Sequence, residues 1–217
     1  MIAYHNDPSI KSAILALLAA HRAADQLVKG QYWEGGKGCA VGCTIHSGNH
    51  FEYEGRFGIP VVIARLEDRI FEGLPNALAM EWPERLMSAI RVGADLSMAW
   101  PQFALWLLTE ELAPRARKHA ECAAALVDVA ALYREWCEGE KPSATRWQTA
   151  RDAAAAADAA YASAAAADAA AAAAAADAAS AAAADAYAAA YAAAADAAQE
   201  QAYVRMANKL IEIIKEF

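Results

Sequence analysis

Apolar residues recur at helical spacing through the first two thirds of this chain, in segments that proline opens and glycine closes. The pattern first predicts a helix that Asp7 and Pro8 start and that Gly30 ends. Aspartate caps a helix N-terminus, and proline suits its first turn because the amide it lacks has no helical partner there. The apolar positions of this helix are Ile10, Ile14, Leu17, Leu18 and Leu27.

The same reasoning predicts further helices. Pro60, Pro83 and Pro101 each fall in the first turn of a periodic apolar segment, and Gly73 and Gly93 end the first two. The predicted ranges are 38–47, 60–73, 83–93 and 101–108, followed by a longer helix over 114–137 with the stripe Cys122, Leu126, Val129, Tyr133 and Trp136. No segment alternates apolar and polar residues between turn pairs, so we predict no strands. Residues 51–63 are the one place where a short hairpin could lie.

The C-terminal third has a different composition. Residues 143–217 contain neither glycine nor proline, and 36 of the 46 residues from 153 to 198 are alanine, the best helix former. One straight helix over this length would measure about 105 Å at roughly 1.5 Å per residue, far longer than a compact domain of this size. The aspartates of the tract share no helix face, so we predict several shorter helices that fold back on one another rather than a coiled coil.

These patterns predict an all-α protein with a mixed helical head over 1–142 and an alanine-rich multi-helix region over 143–217 packed on it. The net charge of -8 divides into -4 for each part, so neither offers the basic face that a nucleic acid polymer requires. No uncharged run is long and apolar enough to span a membrane, and the start lacks a secretory signal pattern. Four cysteines do not make a disulfide framework, which favours the cytoplasm.

The candidate chemistry lies in residues 35–50, where two glycine-flanked cysteines are followed by two histidines. If this segment were helical, Cys39, Cys43, His46 and His50 would form one stripe at i, i+4, i+7 and i+11. Cys39 and His50 would then be about 16 Å apart at roughly 1.5 Å rise per residue, so the four could not hold one ion.

Two zinc sites remain open. Cys43 and His46 could act with His50 folded back beyond Gly48, or Cys39 and Cys43 could act with a distant ligand such as His119 or Cys122. The spacing matches no standard zinc module, so zinc is possible and no cofactor is assigned.

The same segment allows two further interpretations. A helix N-terminus and the neighbouring Lys37 would lower the pKa of Cys39 and favour a nucleophilic thiolate, although small buried thiols are also common in helix packing. Alternatively, Gly35-Gly36-Lys37-Gly38 before a helix supplies backbone N–H groups and a cation for an anionic ligand, or forms only a flexible connector. It is not a phosphate-binding Walker motif, because the required order is absent.

The predicted ligand-binding residues combine this loop with the aromatic and cationic side chains beside it. In that pocket Lys37 and Arg56 would meet negative charge, while aromatic rings would stack on a base. The set is Tyr32, Trp33, Lys37, Gly38, Cys39, Cys43, His46, His50, Tyr53 and Arg56. His21, on the first predicted helix, is interpreted as a core or boundary histidine.

The segment Lys37-Gly38-Cys39-Ala40-Val41-Gly42-Cys43-Thr44-Ile45-His46 resembles a motif of proteins encoded by phages and prophages. The chain is also similar to them in Ile70–Pro75, in Gly93–Ser97 and in an alanine-rich tail that closes in Arg205–Ile211. The resemblance assigns no catalytic residue. It implies an accessory gene expressed in the cytoplasm of an infected bacterium, where such proteins often bind a defence protein or sequester a nucleotide signal.

The leading hypothesis is therefore a non-catalytic accessory binding protein that sequesters a small anionic, nucleotide-like ligand and thereby acts against host defence. One alternative is a metal- or cysteine-dependent hydrolase that uses the Cys39–His50 segment. Another is a structural or protein-binding module in which the alanine-rich helices contact a partner protein or, in a homo-oligomer, another copy of the chain.

Overall fold

The computed structural model describes residues 1–117, 120–156 and 181–217, and of residues 115, 121 and 181–197 it describes the backbone alone. The protein is all-α, as the sequence predicts. The helices of the described chain are α1 (Pro8–Ala23), α2 (Ala40–Ile45), α3 (Glu52–Phe57), α4 (Val61–Gly73), α5 (Asn76–Ala89), α6 (Ala99–Trp106), α7 (Ala113–Ala116), α8 (Ala120–Cys137), α9 (described over 144–156) and α10 (Ala181–Lys215). None of the described helices has the length and apolarity needed to cross a membrane.

Two compact units divide the chain. The first contains Met1–Trp100 and Gln199–Phe217, and the second contains Pro101–Ala198. The predicted boundary near residue 142 stays a prediction, as does the packing of the alanine-rich region on the head. The predicted bends of the alanine tract fall largely on residues 157–180, outside the described residues.

The core of the first unit forms where α5 packs against α1 and α4. Trp82 is fully buried there, and its indole Nε1 donates a hydrogen bond to the Glu67 carbonyl 2.9 Å away. The end of α10 also packs on α4, where the Tyr203 ring lies so close to Gly73 that a Cβ there would be 2.2 Å from ring atoms. Other fully buried side chains of this unit are Tyr4, Tyr53, Phe71, Leu18 and Ile63.

The N-terminal residues form a left-handed turn. Tyr4, His5 and Asn6 all have positive φ, at 55°, 50° and 60°. Each such residue costs roughly 1–2 kcal/mol, because its Cβ crowds the following carbonyl. Long-range bonds hold the turn: the Ala3 amide donates to the Ala94 carbonyl at 2.8 Å, and the Tyr4 hydroxyl donates to the Met87 carbonyl at 2.6 Å.

Several predicted helices are confirmed in position and differ at their ends. Pro60 immediately precedes α4, and Asp7 caps α1 by accepting from the Ser9 amide at 2.8 Å. However, α1 ends at Ala23 rather than at Gly30, because the chain turns at Asp25 (φ 52°) and Leu27 then bridges to Gly38. Pro83 does not open a helix. It lies inside α5, which begins after Pro75.

The prediction for strands is wrong. A two-stranded antiparallel hairpin joins β1 (Trp33–Glu34) to β2 (Lys37–Gly38), and residues 51–63 hold α3 and the start of α4 instead. Gly35 and Gly36 form the two-residue turn, with φ of 59° and 81°. Two successive positive φ angles are what a tight hairpin turn needs, and glycine adopts them without steric cost.

The second unit contains a six-residue π-helical stretch, Leu107–Leu112, between α6 and α7. On α8 the predicted apolar stripe is only half-buried, and the buried positions are Ala125, Ala130 and Leu132. An aromatic group links α8 to α9, where the Tyr133 and Trp147 rings lie 4.7 Å apart.

The hairpin lies unusually close to α2, which gives a test of the fold. A Cβ on Gly42 would lie 1.4 Å from the Tyr32 carbonyl oxygen. We expect Gly42→Ala to lower the free energy of unfolding by about 1–3 kcal/mol, the range of overpacked sites, as measured by urea denaturation.

Gly55→Ala is the matched control for that variant. Gly55 is exposed in α3, and a Cβ there meets nothing within 4 Å. We expect it to raise the free energy of unfolding by roughly 0.5–1 kcal/mol, because alanine is the better helix former. Equal effects of the two substitutions would contradict the close approach of the hairpin.

Candidate functional site

The Gly38–His46 segment forms a short helix between two unusual ends. Cys39 is the N-cap of α2, and its sulfur accepts from the Gly42 amide at 3.4 Å. His46 is the C-cap, in the left-handed conformation with φ 55° and ψ 37°. The helix therefore does not continue to His50, and the predicted single stripe of four side chains does not form.

The ten predicted residues fall into separate groups. Trp33, His46 and Arg56 come together at one surface of the hairpin and α2. Tyr32, Cys39 and His50 lie around a different cleft, and Cys43 and Tyr53 lie in the core. Lys37 and Gly38 belong to the hairpin strand.

The first group is an aromatic and basic cluster. The Trp33 ring stacks on the His46 imidazole with centroids 4.2 Å apart and an interplanar angle of 13°. Arg56 donates to the Ile45 carbonyl at 2.7 Å, which places its guanidinium beside His46. His21 completes the cluster, since its Nε2 lies 2.9 Å from Nε2 of His46. We call Trp33, His46, Arg56 and His21 the His46 cluster.

The electrostatics of the His46 cluster favour a neutral imidazole in the ligand-free protein. Partial burial of the imidazole lowers the pKa of His46, and the neighbouring His21 and Arg56 lower it further. The cause is general: removing an imidazole from water, or placing positive charge beside it, disfavours the charged form. A negative charge docked here would reverse that effect.

The second group surrounds a cleft of about 390 Å³ lined by Gly30, Gln31, Tyr32, Cys39, Asp68, Arg69 and Glu72. Tyr32 is 53% exposed, and its ring meets the His50 ring edge-on at 5.6 Å. His50 faces Asp68, with 3.4 Å between Nε2 and the carboxylate. Two carboxylates against one guanidinium make this cleft unsuited to an anion.

The remaining predicted residues are structural. Tyr53 is fully buried and donates to the Glu67 carboxyl at 2.6 Å, so its ring cannot stack on a ligand. Lys37 is the cross-strand neighbour of Glu34, while Trp33 pairs with Gly38. Because side chains alternate along a strand, Lys37 projects from the opposite face of the hairpin to Trp33. The glycines form a tight turn rather than an anion cradle.

The thiols do not have the properties of nucleophiles. Cys39 is 1% exposed, and burial, followed by a hydrogen bond to Asp68, raises the pKa of its thiol. Burial likewise raises the pKa of Cys43 to about 11, and its sulfur donates to the Gly38 carbonyl at 3.4 Å. The expectation of a lowered pKa at Cys39 is therefore wrong, because loss of hydration outweighs the helix end.

The zinc alternatives find no support in the described part of the chain. Within residues 1–117, 120–156 and 181–217, no three histidine, cysteine, aspartate or glutamate side chains form a group that could hold a metal ion. His50 does turn back beyond Gly48, as one alternative requires, but it faces Asp68. Of the two distant ligands named for the other alternative, His119 lies outside the described residues, and Cys122 belongs to no group of three possible ligands among the described residues.

The structure draws attention to two residues, His21 and Glu67, that are not among the ten predicted ligand-binding residues. His21 is 8% exposed, in agreement with its interpretation as a core or boundary histidine, but its partner is His46. Glu67 is fully buried, and one of its carboxyl oxygens has no hydrogen-bond partner among the described residues. Burial raises the pKa of Glu67 to about 8. The one sequence feature that could have indicated a buried Glu67 is its position among the apolar residues of α4.

No family profile, curated protein or solved structure matches this chain. The assignment of function therefore depends on the geometry of the site.

Glu67 should make the protein less stable as the pH rises. Its folded pKa of about 8 lies above the ordinary 4.5, so the folded state favours the protonated form. This contribution is fully present below pH 4.5 and is lost as the pH rises through 8. We expect Glu67→Gln to match the wild type near pH 4.5 and to exceed its free energy of unfolding at pH 8 by about 1 kcal/mol or more. Urea denaturation at each pH measures both free energies of unfolding. The same difference between the two proteins at every pH would refute a neutral Glu67.

The buried thiols should resist alkylation in the native state. We expect iodoacetamide to modify the partly exposed Cys137 before Cys39 or Cys43, both of which should react only after unfolding in urea. Peptide mass spectrometry at timed intervals measures the order. Rapid native labelling of Cys39 would restore the nucleophile hypothesis.

Proposed function

We propose that this protein is a non-catalytic accessory binding protein, of the phage type that its motifs resemble, that takes a small anionic ligand with an aromatic ring at the His46 cluster. Nucleotides are the ligand class that combines these properties. The proposed setting is the cytoplasm of an infected bacterium, where sequestration of such a molecule would act against host defence.

The stacked Trp33–His46 pair beside Arg56 is the observation that carries this proposal. The stacked rings, with centroids 4.2 Å apart, offer a flat surface of the kind on which bases stack, and the guanidinium N–H groups suit phosphate oxygens. His46 is exposed and Trp33 is partly exposed, so a ligand can reach both side chains.

Binding is favoured over the hydrolase alternative by the state of the thiols. Both are buried with raised pKa values, and the described chain holds no three-ligand metal group. The protein-binding alternative places the contact on alanine-rich helices that lie in large part outside the described residues, so the His46 cluster neither favours nor opposes it.

Isothermal titration calorimetry against cyclic AMP, cyclic GMP, AMP and UDP-glucose tests the proposal. We expect one of these nucleotides to bind, and we expect Trp33→Ala and Arg56→Gln each to weaken its binding by about tenfold or more, which corresponds to the loss of about 1.4 kcal/mol.

Lys37→Ala is the matched control for Arg56→Gln. It also removes one cation, but from the face of the hairpin opposite to Trp33. We expect it to change affinity by less than about threefold. Binding that weakens for Lys37→Ala and not for Arg56→Gln would move the site away from the His46 cluster, and absence of heat with all four nucleotides would overturn the proposal. Urea denaturation of each variant separates loss of fold from loss of binding.

A further inference from the structure

The two histidines of the His46 cluster are joined by a single hydrogen bond. Nε2 of His21 and Nε2 of His46 lie 2.9 Å apart, with the rings edge-on at 82°. Nitrogens at this distance share one proton, since two N–H groups pointing at each other would repel and two lone pairs would not bond.

Gln26 determines which nitrogen carries that proton. Its Oε1 lies 2.5 Å from Nδ1 of His21, and an amide oxygen only accepts, so Nδ1 of His21 bears hydrogen. A neutral His21 then presents a lone pair at Nε2, and His46 donates to it from its own Nε2. The chain of bonds then runs from His46 through His21 to Gln26 and is complete without a further proton on either ring.

This arrangement accepts one further proton and excludes a second. A proton added at Nδ1 of His46 leaves the shared hydrogen bond intact and makes it charge-assisted. A second would place two cationic rings in contact, with their facing nitrogens both protonated. The pair therefore carries a charge of zero or one.

The other charges around the pair are already matched. Arg56 forms an ion pair with Glu52 at 3.2 Å on α3, and Arg22 of α1 forms one with Glu84 of α5 at 2.9 Å. The remaining ionisable groups on α4 are Arg65, Arg69, Glu72, Asp68, which faces His50, and Glu67, which is buried. The hairpin carries the cross-strand neighbours Glu34 and Lys37, α3 adds Glu54, and α5 adds Glu81 and Arg85. Acidic groups match the basic ones around the pair, so a proton gained by the histidines adds positive charge where an anion would dock.

We infer that the His21–His46 pair couples ligand binding to proton uptake, so that an anion enters the His46 cluster together with one proton. This inference rests on the proposed function and adds its regulation: acidification strengthens binding. The lowered pKa of His46 agrees with it, because an imidazole that is disposed to be neutral in the ligand-free protein has a proton to gain on binding. By linkage, the affinity should fall up to about tenfold for each pH unit between the pKa values of the free and the bound pair.

Calorimetry with cyclic AMP between about pH 5.5 and 8.5, the range in which a histidine titrates, is the test. The phosphodiester of cyclic AMP does not titrate in this range, so protons taken up on binding come to the protein. The buffer supplies any proton that the protein takes up, so the heat of binding then depends on the ionisation enthalpy of the buffer. In two buffers that differ in this enthalpy, at one pH, we expect heats of binding whose difference corresponds to the uptake of up to one proton. Kd should rise with pH in parallel.

His46→Gln and His50→Gln form a matched pair of variants. The His46→Gln variant would keep a donor toward His21 but could not take the proton, so we expect pH-independent binding near the weak wild-type value at the alkaline end of the range. The His50→Gln variant removes an imidazole that faces Asp68 outside the cluster, and its proton uptake should equal that of the wild type.

The outcomes separate this inference from the proposed function. Heats that are equal in both buffers, with a Kd independent of pH, overturn proton coupling and leave the binding site standing. Uptake that persists in His46→Gln and disappears in His50→Gln assigns the proton elsewhere and also overturns the inference. No heat with cyclic AMP at any pH overturns the inference, and the other three nucleotides then decide whether the proposed function falls with it.

Discussion

The site depends on the close crossing of one backbone segment over another. The Tyr32 carbonyl oxygen lies within 1.4 Å of where a Cβ on Gly42 would be, and within 2.0 Å for Gly38. The Cys39 amide donates to the Gln31 carbonyl at 2.6 Å, which holds the two segments together at the start of α2. Because neither glycine carries a side chain, the hairpin lies directly on α2. Only at that distance does the Trp33 ring reach the His46 imidazole at the far end of the helix.

The same crossing separates the buried thiols of this segment from its accessible imidazole. It covers Cys39 and Cys43, so both thiols lose hydration and stay protonated. His46, at the end of α2, lies past the edge of the hairpin and stays accessible to solvent. The chemistry of the segment therefore belongs to its imidazole rather than to its sulfur atoms. Glu67, which accepts a hydrogen bond from Tyr53, is also held in its neutral form, and it lies in the apolar core rather than in a cleft.

The sequence predicts the elements that local signals govern and fails where distant partners decide. Pro60 and Gly73 bound α4 correctly, because backbone restrictions at those residues act locally. Pro83 is no helix start, since burial of the neighbouring Trp82 keeps it within α5 despite the lost amide. Gly35-Gly36 is a strong hairpin signal, but strands of two residues are too short to show alternation. The pairing of His21 with His46 has no sequence signal, because the residues are 25 positions apart and nothing local fixes their approach.

The conformation of His46 argues that its imidazole is needed for more than ending a helix. A left-handed C-cap is filled at least cost by glycine or asparagine, and histidine there accepts strain of roughly 1 kcal/mol. An apolar residue at position 21 would fill the core beneath it without needing a partner. The chain instead pairs two imidazoles and orients one of them with Gln26. Neither helix termination nor packing requires this combination. A site that takes up a proton together with an anion requires both histidines, one exposed to receive the proton and one buried to limit the pair to a single charge.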